Sequence, residues 1–438
     1  MARTTAALPP GTRITDYVSL GVITKTVPLA KVHGALAATG RASIRQRDLP
    51  AHVVVYYVIA LALYMHSSYR EVLRCLLEGL QWLEDPSQAL KVAGRSGISQ
   101  ARTRLGSEPL RQLHDEIVGP IATKDTRGAW YRSWRLVSLD GSTMDVADEL
   151  ANDEAFGRPA ASRGASAYPQ VRFVALVENG THVLFGTHMS GCRVGEVTLA
   201  RGVLPALQKG MLCLADRGFF GFELYAQARS TGADLLWRLK KNLRLPCEER
   251  LADGSYLSTI YPSEKDRRCK TNGVRVRVID YLLEGVAGAE PLYRLATSIL
   301  DPEAAPAEEL AALYQERWEI ETALGELKTH LRGARIVLRS KTPDLVRQEL
   351  YGLLLAHFAI RALMHEAALK GGEDPDRLSF LHAVRVVRRK LPTWHSIPPS
   401  VSLAASPPAA GGNESGRAIS PSVLLAGTTP PAAGENEG

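Results

Sequence analysis

Three textures of apolar and polar positions follow one another along the chain. Up to about residue 125 the texture is helical. Residues 53–65 are apolar throughout, opened by Leu49 and Pro50. At thirteen residues they fall short of the roughly 20 that a membrane-spanning helix needs, so they predict a buried helix. Residues 69–83 place Val72, Leu73, Leu76, Leu77 and Leu80 on one side of a second helix. After Gly94, Ser99 is placed to cap a short helix carrying Gln100, Arg102 and Arg104 outward, ahead of another helix at 108–118. That arrangement reads either as a helix-turn-helix element facing DNA or as an ordinary exposed helix.

From Trp130 short apolar runs alternate with helical ones. Residues 135–140 predict a strand ending on Asp140, followed by a polar, Gly- and Ala-rich stretch at 152–167. Residues 170–177 and 182–187 predict a hairpin turning at Glu178-Asn179-Gly180-Thr181. A helix at 195–208, a strand at 211–216 ending on Asp216, a helix at 221–230 and a strand at 233–239 complete the series. The order predicts a mixed α/β sheet flanked by helices, with two carboxylates at strand C-termini, where ligand sites of such sheets lie. Residues 240–303 break the rhythm. They are β-prone and cation-rich, including Lys240, Lys241 and Arg244, with strands expected at 274–283 and 292–300, and they read as an insertion.

The third texture is helical again. A helix starts near Ala307 after Pro302 and Pro306, a further strand is expected at 335–338, and helices at 344–370 and 375–389 follow, the last running into the basic Arg385-Val-Val-Arg-Arg-Lys390. From residue 398 to 438 Pro, Ala, Gly, Ser and Thr dominate without hydrophobic period, so a disordered tail is expected. No internal repeat is visible.

The helix at 313–331 concentrates the polar chemistry. At about 100° per residue, Tyr314, Arg317, Glu321 and Lys328 share a face about 60° wide, while Glu319 and Glu326 point elsewhere. Taken alone, such a stripe reads as a solvated face with ion pairs.

Composition narrows the field. The 438 residues suffice for two or three domains, and 45% hydrophobic with 23% charged residues is ordinary for a soluble globular protein. A net charge of +7 and pI near 9.1 favour a polyanionic partner. Cys75, Cys192, Cys213, Cys247 and Cys269 form no Cys-x-x-Cys pair, which argues against a zinc ribbon or a disulfide scaffold and fits a reducing cytoplasm. The first residues carry no apolar signal core. His182, His188 and His330 show no metal-ligand spacing.

Three carboxylates therefore stand out: Asp140, Asp216 and Glu321. Brought together, they would supply hard oxygen ligands for Mg²⁺ or Mn²⁺, and two such ions suit the cleavage of a phosphodiester. Separately, Asp140-Gly reads equally well as a turn and Asp216-Arg-Gly as a loop.

The residues also resemble a family. Tyr314, two residues, Arg317, three residues, Glu321, six residues, Lys328 reproduces the helix motif of transposases of the bacterial insertion-sequence-four group. Asp140-Gly-Ser-Thr followed by Asp148, Asn152 and Phe156-Gly157 is similar to the run around that group's first acid, and Asp216-Arg-Gly-Phe219 to the turn at its second. The likeness spans about residues 12–365. It implies a helical N-terminal DNA-binding domain at 12–125 and an RNase H-like DDE domain at 130–370 carrying the 240–303 insertion. A basic helix at 371–397 and the tail lie outside it. It further implies Asp140, Asp216 and Glu321 as ligands of two Mg²⁺ ions, with Mn²⁺ able to substitute, and Tyr314, Arg317 and Lys328 on phosphates near the transposon end. Trp318 would either stack on a displaced base or serve as a half-buried helix aromatic. Lys240, Lys241 and Arg244 are candidate DNA-backbone contacts or solvated cations of an edge strand. The activity implied is cut-and-paste transposition: binding terminal inverted repeats, cutting, and joining the ends to target DNA as a homodimer. Two other readings stand beside it: a different RNase H-like nuclease, and a domesticated DNA-binding protein.

Overall fold

In a computed structural model, residues 15–44, 49–84, 93–159, 168–241, 243, 245–283, 290–333, 336–389 and 423–425 are described. The chain begins with six helices: α1 (Thr15–Thr26), α2 (Leu29–Ala38), α3 (Ala51–Leu63), α4 (Tyr69–Glu84), α5 (Arg95–Leu105) and α6 (Glu108–Ile117). The sheet region follows with β1 (Trp130–Tyr131), β2 (Trp134–Asp145), α7 (Leu150–Phe156), β3 (Gln170–Glu178), β4 (Val183–Gly191), α8 (Glu196–Val203), β5 (Met211–Ala215), α9 (Phe222–Ser230) and β6 (Asp234–Arg238). It continues through β7 (Glu249–Arg250), β8 (Tyr256–Ile260), α10 (Glu264–Cys269), β9 (Val274–Leu283) and β10 (Tyr293–Thr297). The last elements are α11 (Ala307–Leu313), α12 (Glu319–Gly325), α13 (Pro343–Gly371), α14 (Phe380–Arg389) and β11 (Val423–Leu425).

Among the described residues the strands form a single mixed sheet in the order β4-β3-β2-β5-β6-β10-β9-β8-β7, with β1 on β2 and β11 on β9. Only β2–β5 and β5–β6 are parallel. These central pairings need crossover connections, which α8 and α9 supply. Buried on both faces, β5 is the unbroken apolar run Met-Leu-Cys-Leu-Ala. Strands of the 240–303 stretch do not form a separate sheet: β10 pairs with β6 and carries the sheet onward through β9 and β8.

Several sequence expectations need correction. Strand β2 does not end on Asp140. It continues to Asp145, paired with Gln170 of β3, because antiparallel bonding to β3 persists after parallel bonding to β5 has stopped at Leu139. The polar stretch after it contains a helix, α7, whose buried Asn152 donates to the carbonyls of Ala147 and Ser340, both at 3.0 Å. The expected strand at 335–338 reduces, in its described part, to one bridge between Val146 and Leu338. Helix α5 begins at Arg95, so Ser99 lies inside it rather than capping it. Its Arg102 is buried, donating to Gln348 Oε1 at 2.8 Å and Ser340 Oγ at 2.9 Å, and is not a DNA-facing cation. Of the tail expected to be disordered, Val423–Leu425 pair antiparallel with Leu283–Tyr281; they are its one apolar β-prone run. The rest of 398–438 lies outside the described residues.

Helix α13 would cross a bilayer by length and composition, yet 72% of its most apolar window is buried. It is the axis of the core. Helix α3, with Val53 to Leu63 all buried, lies against it. Gly352 permits the approach, since a Cβ there would stand 2.8 Å from the carbonyl oxygen of Val58. The apolar side chains of the N-terminal helices, α13 and one face of the sheet form one continuous cluster.

Candidate active site

The expected helix at 313–331 exists, but not as uniform α-helix. A 3₁₀ segment (Tyr314–Trp318) precedes α12, and a π-helical turn (Glu326–Leu331) follows it. Such turns re-aim side chains relative to a regular helix and recur at functional sites. Pro306 opens the whole run, and Glu308 and Glu309 in the first turn suit its dipole.

Parallel pairing brings the first two acids side by side. Leu139 of β2 lies opposite Ala215 of β5, so Asp140 and Asp216 are the next residues along two neighbouring strands. Adjacent strands run about 4.8 Å apart. The helix contributes the third acid. Arg317 bridges across, with Nη1 3.6 Å from Asp140 Oδ2 and Nη2 3.6 Å from Glu321 Oε1. Its own Nε is buried without a hydrogen-bond partner among the described residues. Asp216 is reached from the other side by Arg238, at 4.0 Å.

The acids differ in setting. Burial pushes the Asp140 carboxyl up to about 6, and the nearby charges of Glu196 and Glu321 add to that rise. The Gly141 N–H, which donates to Oδ1 at 2.7 Å, and Arg317 oppose it. Glu321 is half exposed. Glu196 is a fourth carboxylate beside the site that sequence reading missed; nothing in the texture of 195–208 ties it to Asp140, because only the fold of β4 and α8 brings it there.

The remaining stripe residues divide. Lys328 is half-buried, with Nζ donating to Ser142 Oγ at 2.9 Å, and burial lowers its ammonium from the ordinary range. Tyr314, expected at phosphate, is 6% exposed, and its hydroxyl donates to the Ala215 carbonyl at 3.2 Å. Trp318 is 56% exposed, with the Arg317 guanidinium 5.1 Å from its ring centre. It is thus not a half-buried core aromatic. Lys240 is exposed. Lys241 sits 3.2 Å from Glu290, which also holds Arg238 and Arg217. Arg244 lies outside the described residues. Glu319 and Glu326 do point away from the acids, into a separate buried cluster around His182.

Asp140, Asp216 and Glu321 offer hard oxygen donors of the kind a divalent cation takes. Comparison with known proteins gives the family. Residues 17–115 match the insertion element 4 transposase N-terminal family, and residues 134–359 match the transposase DDE domain family. The chain is 29% identical over 397 residues to the transposase InsG for insertion sequence element IS4 of Escherichia coli (strain K12), covering 89% of this chain and 85% of that protein. Among solved structures, a chain of the piggyBac transposase synaptic complex with hairpin DNA aligns at TM-score 0.44 and 10% identity, covering 85% of this chain and 79% of that one. With more than half its length inside the DDE domain match and an N-terminal match before it, the chain belongs to the IS4-type DDE transposases, enzymes that cut and join DNA.

Proposed function

We propose that Asp140, Asp216 and Glu321 are the catalytic acids of this transposase, and that it moves its own element by cut-and-paste. The single observation that carries the reading is the bridge of Arg317 between Asp140 and Glu321, 3.6 Å from each. The strand register at Leu139 and Ala215 supports Asp216 as the third member.

The three carboxylates would hold two Mg²⁺ ions, or Mn²⁺ in their place. Bound there, the ions would polarise the scissile phosphate and make a nucleophile of water or a 3′-hydroxyl at neutral pH. Arg317 and Lys328 would grip the flanking phosphate oxygens, the first as a planar fork and the second as a point charge. Tyr314 acts one step back: its hydrogen bond fixes the end of β5, and hence the backbone from which Asp216 projects. Trp318 offers an exposed ring on which a base displaced from the transposon end would stack. Lys240, Lys241 and Arg244 would follow the DNA backbone farther out.

The central parallel strands with an antiparallel hairpin at one edge support reading 130–370 as an RNase H-like domain with 240–303 inserted, after a helical DNA-binding region at 12–125. Terminal inverted repeats are the proposed binding sites. Joining two ends in one complex calls for two copies of the chain, as a homodimer on DNA. The setting would be the bacterial cytoplasm, on the nucleoid.

The test is incubation of purified protein with end-containing DNA and Mg²⁺. Wild type is expected to cleave and then join. Asp140→Asn, Asp216→Asn and Glu321→Gln are each expected to do neither, while remaining folded and DNA-bound. Full activity in any of the three overturns the assignment. Cutting without joining by wild type would instead favour a nuclease.

A further inference from the structure

Behind the catalytic helix lies a second, unrelated cluster. His182 occupies the β3–β4 turn in a left-handed conformation (φ 56°) and is 4% exposed. Its Nε2 stands 3.2 Å from Asp376 Oδ1 and 3.8 Å from Glu319 Oε2, yet it makes a hydrogen bond to neither and is buried without a partner among the described residues. One ligand atom from each of His182, Glu319 and Asp376 lies within 4.8 Å of the others.

We propose that His182, Glu319 and Asp376 bind a zinc ion. One imidazole nitrogen and two carboxylate oxygens suit Zn²⁺ better than Mg²⁺, which favours oxygen alone. A tetrahedral ion with ligands at about 2.0–2.2 Å holds them roughly 3.3–3.6 Å apart, close to the two spacings from His182. The other ring nitrogen, Nδ1, lies 3.2 Å from Glu326 Oε1 and against Arg361 Nη2. Arg361 also reaches Oε1, and its Nε donates to Glu326 Oε2 at 2.8 Å. A carboxylate behind a ligating histidine sets its ring direction. The remaining ligands are also placed: the Gly180 N–H donates to Glu319, and the Asp376 N–H donates to Asp374 at 3.1 Å. Asp376 has its side chain 35% exposed, which leaves a way in and room for a water as fourth ligand.

The ion would join three parts of the chain: the β3–β4 turn, the segment after α13, and the first residue of α12, two residues before Glu321. It would clamp the catalytic helix from the side away from DNA.

Zinc itself is the probe. Metal-stripped full-length protein is given Zn²⁺, desalted, and its metal content measured, with thermal melting followed in parallel. Wild type and Glu321→Gln are expected to retain about one zinc per chain and to melt higher with it. Asp376→Asn, at the surface, and His182→Asn, chosen because asparagine tolerates a left-handed backbone, are expected to bind Zn²⁺ at least about tenfold more weakly and to lose the melting shift. No retained zinc in wild type overturns the proposal. So does retention by either site variant equal to that of wild type.

Discussion

The phenolic hydroxyl of Tyr314 donates to the carbonyl oxygen of Ala215 at 3.2 Å. A residue of the 313–331 helix is thus tied to the strand end that precedes Asp216. Tyr314→Phe keeps the buried ring and removes one hydrogen bond, for an expected loss of about 1 kcal/mol in chemical denaturation. Cleavage is expected to fall by less than about tenfold, since that energy corresponds to a smaller factor. A folded Tyr314→Phe protein with cleavage reduced a thousandfold would mean that the hydroxyl touches DNA directly.

Trp318 should separate stability from binding. Being 56% exposed, its replacement by Ala is expected to change stability by no more than about 0.5 kcal/mol. If a base stacks on it, the same change should weaken binding of end DNA by about 1–3 kcal/mol. A fluorescent base analogue at the cleaved end reports the contact, and an unchanged signal in Trp318→Ala would remove Trp318 from the DNA interface.

The Asp140 carboxyl lies near 6 instead of its ordinary 3.8, chiefly because it is buried. An acid raised on folding favours the folded state most when protonated. In the metal-free protein the contribution of Asp140 to stability is therefore expected to fall as pH rises from 3.8 towards 6. A divalent ion binds the ionised form, so at fixed Mg²⁺ cleavage is expected to fall as pH drops through about 6. Melting curves of wild type and Asp140→Asn across this range isolate that contribution as their difference, and cleavage at fixed Mg²⁺ checks the second sign.

Arg361 and Glu326 are both buried, and each holds the other in a low-dielectric setting. Arg361→Met leaves Glu326 without its main counter-charge and is expected to cost about 3–5 kcal/mol. Replacing both with Met should cost less than replacing Arg361 alone. Equilibrium denaturation of the three variants decides, and a double variant as unstable as the single would show that packing, not charge, dominates there.

What could be read from the sequence was what neighbours in the chain determine. Strands β5 and β6, the β3–β4 hairpin and helices α3, α4 and α13 follow from local periodicity. Asp140, Asp216 and Glu321 stand out through strand ends, a helix face and the motif spacing of a resemblance. Inward or outward direction over long separations could not be read. Arg102 looks like a surface cation until Gln348, 246 residues on, supplies its buried partner. Likewise, Tyr314 and Lys328 sit on the face expected, but only the sheet decides that one meets a carbonyl and the other Ser142. The change from 3₁₀ to α to π within a single polar run has no signature in periodicity at all. His182 has no signature in the sequence because its neighbours in space, Glu319 and Asp376, are distant and irregularly spaced along the chain.

The close passage of α3 over Gly352 bears on how the chain comes into being. Ribosomes deliver Val58 long before Gly352, so the strongly apolar α3 has its N-terminal neighbours early but meets α13 only when that helix emerges. The helices synthesised first are consequently completed among the last. For most of translation the side of α3 that α13 will cover stays open, and an early segment depends on a late one for its last shelter.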